Sequence, residues 1–199
     1  MKQFFKKYQN QILVTLTTIF IVLILYAIKG IYPFGNMTII NGDMGQGYTP
    51  FYVFLYDIIY NGKSIFYDYT LGAGSNMFGG FIVDGLFNPT AYLVLLNTRE
   101  NIPYMLSYVL MAKIAFIALS SYILFNNIYK DNKFYNFLFS IMYAFSGFVL
   151  MYNTNIMWLD IVGLFPLLIL SLKSMFEKGK IHLYSIILAL ILIYNYNLA

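Results

Sequence analysis

Apolar residues in this chain gather into long unbroken runs, parted by short polar stretches, and the run length sets the first expectation. Runs of about 17 to 22 residues recur along the sequence, enough as helices to cross the roughly 30 Å hydrocarbon core of a bilayer. Barrel strands would place a polar residue at every second position, and these runs do not. The pattern predicts spanning helices at 11–28, 104–125, 134–152, 157–176 and 181–197. The fold class expected is all-α integral membrane: a polytopic bundle of about five helices with one long loop, 29–103, on the outer side.

That loop is too apolar for a disordered linker. Thr49-Pro50 reads as an N-cap followed by Pro at the first helical position, opening a short amphipathic helix over FYVFLYDIIY that Asn61-Gly62 stops. Its aromatic face suits the membrane interface or the tops of the spanning helices. Asn88-Pro89 repeats the signal for a second short helix, about 89–97, and the glycine-rich YTLGAGSNMFGG between them predicts a tight loop. A loop of this length with its own helices points to function more than to spacing.

Composition narrows the classes. Hydrophobic residues make up 60% and charged residues only 10% of the 199, against about a quarter charged in soluble domains. With no cysteine, disulfides, thiolate metal sites and cysteine nucleophiles are excluded. The net charge of +4 comes from cations that flank the apolar runs, so it speaks of topology and gives no nucleic-acid stripe. With the N-terminus inside, eight lysines (2, 6, 7, 130, 133, 173, 178 and 180) fall on the inner side, against Lys29, Lys63 and Arg99 outside. This positive-inside bias predicts a plasma-membrane protein with a cytoplasmic N-terminus and an extracytoplasmic loop. The first run is long for a signal peptide and no small-residue cleavage site follows, so it is expected to be retained. Five spans without a further domain suit neither a complete channel nor a transporter. Residues 1–199 therefore read as a truncated product or the N-terminal transmembrane region of a larger protein.

The acids stand out next, because most lie on the outer side. Asp43 sits in NGDMGQGYTP among three glycines; such a turn lets backbone approach a ligand closely, and an acid there can serve as base or metal ligand, or simply cap the turn. Asp160, in NTNIMWLDIVGLFP, falls one turn inside the fourth helix, where an ionised group needs water, a cation or a partner such as Asn153 or Asn155. Together the two carboxylates could divide acid and base roles or hold a divalent cation, Mg or Mn. Asp84 is a third candidate. Lys113 lies nine residues below Tyr104, roughly 13–14 Å into the membrane, able to balance a buried acid or meet a lipid phosphate. Trp158 reads as a belt anchor or as the wall of a sugar or isoprenoid site. His182 reads as interfacial. No phosphate-binding loop, HExxH or GxSxG motif occurs, which argues against ATP-driven transport, zinc protease and serine hydrolase chemistry.

The order of these signals resembles the N-terminal part of the bacterial YfhO family of large multi-pass membrane proteins. The resemblance rests on KGIYPFGNMTIINGDMGQGYTPFYVFLYDIIYNGKSIFYDYTLGAGSNMFGGF, NPT and MYNTNIMWLDIVGLFPLLILSL, most specifically on Gly42-Asp43-Met44 with Gln46 and Tyr48, Leu71 to Gly74, and Asn155 to Asp160. It implies a GT-C-like glycosyltransferase that takes a sugar from a polyprenyl-phosphate carrier on the outer face and decorates lipoteichoic acid or a related cell-wall polymer. On that resemblance Asp43 matches the first-loop acid, base or metal ligand, and Asp160 an acid from a later outer segment. Gln46, Tyr48, Asp84, Lys113 and Trp158 would contact substrate. The partners implied are membrane lipids, the lipid-linked sugar, the polymer acceptor and other membrane proteins. The family's proteins are much longer, with many more spans. Two other readings compete: a lipid-linked substrate transport protein, in which Lys113 matters more than Asp43, and a non-catalytic scaffold or inactive fragment, in which neither matters beyond stability.

Overall fold

A computed structural model describes residues 2–69, 74 and 88–195. Its first helix, α1 (Lys2–Lys29), carries the first apolar run and ends where Gly30 adopts a left-handed conformation. The chain then forms a π-helical turn, Met44–Tyr48, that leads directly into α2 (Thr49–Asn61). Gly62, at φ 67°, terminates α2 as expected, its N–H returning to the Asp57 carbonyl. The start differs from expectation. Tyr48, already helical, holds the N-cap position, and the Thr49 hydroxyl donates back to the Met44 carbonyl at 2.6 Å. The preceding π turn leaves no open helix end for Thr49 to cap.

Asn88 is extended, and its side-chain oxygen accepts from the Thr90 N–H at 3.0 Å. The segment it opens, Pro89–Leu96, is a 3₁₀ helix. A second short 3₁₀ turn, Arg99–Asn101, runs into α3 (Ile102–Ile128). The third predicted span is two pieces: α4 (Lys133–Ala144) and α5 (Gly147–Met151), parted at Phe145 and Ser146. Ser146 is extended there, and an adjacent Ser-Gly pair is a known weak point of helices. Then come α6 (Trp158–Lys178), with Pro166 inside it and Gly179 left-handed at its end, and α7 (Ile181–Asn195).

Among the described residues, four segments are long and apolar enough to cross a membrane: Tyr8–Lys29, Arg99–Ile128, Lys133–Met151 and Trp158–Lys178. The fifth predicted span, 181–197, is a shorter apolar helix over its described length and its last residues lie outside the described ones, so about four spans stand. The protein is an all-α, polytopic helical membrane protein.

The most buried of these segments is α3. It packs against α1, α4 and α6 and carries the Pro89–Leu96 helix on its flank, while α7 packs on α6. Two contacts fix the register of α3 against α6. Lys113 meets Asp160, and Phe116 lies against Gly163; both pairs are 47 residues apart, so the helices run parallel. In this register Trp158, the first residue of α6, falls opposite Met111. That is nine residues below the first residue of α3, roughly 13 Å along the axis. The start of α6 is therefore recessed, which is why Asn155, Ile156 and Met157 before it are buried.

Candidate functional site

Among the described residues, the recess at the start of α6 joins Asp160, Lys113 and Asn88 in a polar cluster. Asp160, in the first turn of α6, is buried. Its Oδ2 accepts from the Lys113 ammonium of α3 and from the Asn88 amide at 2.6 Å. Lys113 is 1% exposed and Asn88 4%, so the pair is shut away from water. A lone buried charge would be strongly unfavourable, and a matched pair with a further hydrogen bond offsets much of that cost. The N-terminal end of α6 favours the carboxylate as well. Asn88 works in two directions, since its oxygen caps the 3₁₀ helix while its amide reaches Asp160. Through it the outer loop is tied to the spanning helices.

Asp160 is thus partnered by Lys113 and Asn88, and the Asn153 or Asn155 contact considered for it is not the one it makes. Trp158 stands two residues earlier on the same helix, half-buried, with its ring 5.3 Å from that of Tyr152. Tyr194 of α7 lies near enough to sense the Asp160 charge.

Asp43 has a different setting. It stands at the N-cap of the π turn, exposed, and its side chain caps nothing. The next residue, Met44, is fully buried and pins the turn to the protein. Gly42 before it takes φ 50°, and the Gly42 carbonyl accepts from the Gly45 and Gln46 N–H groups. An ordered backbone therefore presents a free carboxylate. Gln46 is exposed and Tyr48 half-buried on the same turn. Among the described residues, no cluster of three or more acids and histidines able to hold a metal occurs. Asp84 lies outside the described residues.

A second charged cluster, which sequence reasoning did not single out, anchors α2. Asp57 is 3% exposed and takes Arg99 through two bonds, 2.8 and 3.1 Å, with Asn61 at 2.8 Å and Lys63 at 3.4 Å. The Arg99 guanidinium holds the Asp57 carboxyl below its usual range, against the opposing effect of burial; Asn61 and Lys63 add to the lowering. The Asp57–Asn61 spacing of four was visible in the sequence. The link to Arg99, 42 residues away, was not.

Comparison with known families decides the kinship. Residues 14–199 match the family described as bacterial membrane protein YfhO. The chain belongs to the YfhO family. Neither a curated protein nor a solved structure matches it. Within this YfhO chain two of the three most specific sequence pieces behave differently: the Gly42–Tyr48 stretch forms the exposed turn bearing Asp43, whereas Asn155–Asp160 forms the recessed start of α6.

Proposed function

We propose that this YfhO-family chain is the N-terminal part of a GT-C-like glycosyltransferase that works on the outer face of the bacterial plasma membrane, moving sugar from a polyprenyl-phosphate carrier to a cell-wall polymer such as lipoteichoic acid. Membership of the YfhO family supports a role in membrane glycosylation. The observation that carries the catalytic reading is the uncapped, exposed Asp43 carboxylate on a turn fixed by buried Met44.

In this reading Asp43 is the base. It takes the proton of an acceptor hydroxyl as that oxygen bonds to the anomeric carbon. The bond from that carbon to the carrier phosphate breaks, and polyprenyl phosphate leaves with the electron pair. Asp160 keeps its negative charge for Lys113 and serves as an anchor, because a cation at its Oδ2 would have to displace the ammonium. As the alternative to that base role, Asp43 would be the single carboxylate holding a Mg or Mn ion whose other ligands would come from water and substrate phosphate. Such an ion would supply charge stabilisation to the departing phosphate. Gln46 and Tyr48, on the same turn, would contact the sugar or acceptor, with Trp158 and Asp84 as further contacts.

The test is Asp43→Asn in the full-length protein, with membrane insertion checked separately. Loss of a general base predicts a drop in sugar transfer of about 10²–10⁴-fold with insertion unchanged. Undiminished transfer sinks the assignment. A second reading, handling of a lipid-linked substrate without chemistry, is favoured by one feature: an apolar hollow of about 360 Å³ where Leu93 and Leu96 of the 3₁₀ helix meet Ile19 of α1 and Met105 and Met111 of α3. Under it, Asp43→Asn leaves lipid binding and all other activity intact.

A further inference from the structure

A further hollow lies at the opposite, lysine-rich end of the helices, and none of the chemistry above uses it. Its volume is about 570 Å³, within the range of small-molecule sites. It lies between the end of α3 and the face of α4, and its lining changes along the helix axis. At the helix ends it is polar, with Tyr129, Asn132 and Asn136; further in it is apolar, with Phe125, Phe139 and Met142. Met142 is nine residues from the first residue of α4, roughly 13 Å deeper. Met142 and Phe139 are about half exposed on the outside of the bundle, so the hollow opens sideways, where lipid chains lie.

One atom at this hollow is out of balance. Asn136 is 1% exposed, and its amide N–H donates to the Tyr129 carbonyl at 2.7 Å. Its Oδ1 is buried and has no hydrogen-bond partner. A buried acceptor left in that state is destabilising; it lies behind the wall of the hollow, so a hydroxyl or amine donor there reaches it as the Asn136 side chain turns outward. The turn beside it carries exposed Lys130 and Lys133 against a single acid, Asp131, a net positive mouth at the depth where head groups sit.

We infer that this hollow is a binding site for an anionic phospholipid whose head group carries hydroxyl donors. The phosphate meets the Lys130–Lys133 turn, the Asn136 side chain turns outward so that a head-group hydroxyl donates to its Oδ1, and the first part of an acyl chain lies along Phe125, Phe139 and Met142. The order of polar and apolar walls along the membrane normal matches the order of groups in such a lipid. This site is independent of Asp43 and of the transfer reaction.

The test uses the purified chain and native mass spectrometry in detergent with phosphatidylglycerol, phosphatidylmethanol or phosphatidylcholine at equal mole fraction. Phosphatidylglycerol carries both the charge and the hydroxyls, phosphatidylmethanol the single charge without a donor, phosphatidylcholine neither a net charge nor a donor. The expected retention falls in that order, by about tenfold from first to last, equivalent to about 1.4 kcal/mol. Met142→Trp fills the hollow from its exposed side without touching the buried core and should bring phosphatidylglycerol down to the phosphatidylcholine level. Asn136→Leu should erase the preference for phosphatidylglycerol over phosphatidylmethanol. Equal retention of phosphatidylglycerol and phosphatidylcholine, equal retention of phosphatidylglycerol and phosphatidylmethanol, or a Met142→Trp chain that binds as before overturns the site.

Discussion

Lys113 and Asp160 are the two residues whose chemistry is hardest to reconcile with an apolar interior, and each answers the other. The sequence marks both as out of place, an ammonium near mid-membrane and a carboxylate inside a helix, and it allows that Lys113 balances a buried acid. It does not identify the acid, because helices far apart in sequence approach only through packing. Nor does it mark Asn88, which reads locally as a helix cap and nothing more. Because the pair is buried, removing one member breaks a buried ion pair, at a cost of about 3–5 kcal/mol. Lys113→Met and Asp160→Asn are each expected to lose stability of that order in denaturant unfolding from detergent micelles. The double variant removes both charges, while the amide oxygen introduced by Asp160→Asn still accepts from Asn88, so its loss should be smaller than the sum of the two. Strictly additive losses would show that the residues do not act as a pair.

At the scale of elements, the fold was most legible where local chemistry punctuates it. Gly62 stops α2 at the expected place, and Gly179 ends α6 in the same left-handed way, two residues beyond the expected end at 176, since a left-handed residue is cheap only for glycine. The break between α4 and α5 was missed because the run 134–152 is apolar on average, and hydropathy does not register an interruption of hydrogen bonding, even with Ser146-Gly147 standing at the place. The recess of α6 was also hidden, being a property of register between two helices. Gly163 maintains that register. A Cβ built there would lie 2.5 Å from the Phe116 ring, closer than side chains tolerate, so α6 approaches α3 closely by having no side chain at this point. Gly163→Val gains little helix propensity and overpacks the contact, at about 1–3 kcal/mol. A lower unfolding temperature is expected for Gly163→Val, and Phe116→Ala in the same chain should restore part of it by vacating the space. If the double variant is no better than the single, the ring is not what limits the approach.

At the scale of the whole molecule, the two ends of the bundle differ in kind. One end carries a long folded segment with α2, the 3₁₀ helix and the acids Asp43 and Asp57; the other carries tight turns and most of the cations. The asymmetry fits an orientation in which the acidic, aromatic segment faces outward and the lysine turns face the cytoplasm. The Asp57–Arg99 link and the Asn88–Asp160 link hold that segment down at two places, so the Asp43 turn belongs to a structured platform and not to a free loop. Orientation is what the proposed chemistry needs most, since a base facing the cytoplasm could not meet a cell-wall acceptor. The chain has no cysteine, which makes it a clean background for labelling. Single cysteines introduced by Tyr69→Cys and Glu100→Cys should react with a membrane-impermeant maleimide in intact cells. Those introduced by Asp131→Cys and Lys180→Cys should react only after the membrane is opened. The reverse pattern would place Asp43 on the wrong side for sugar transfer to an external polymer, while leaving the helix packing and the buried Lys113–Asp160 pair as they are.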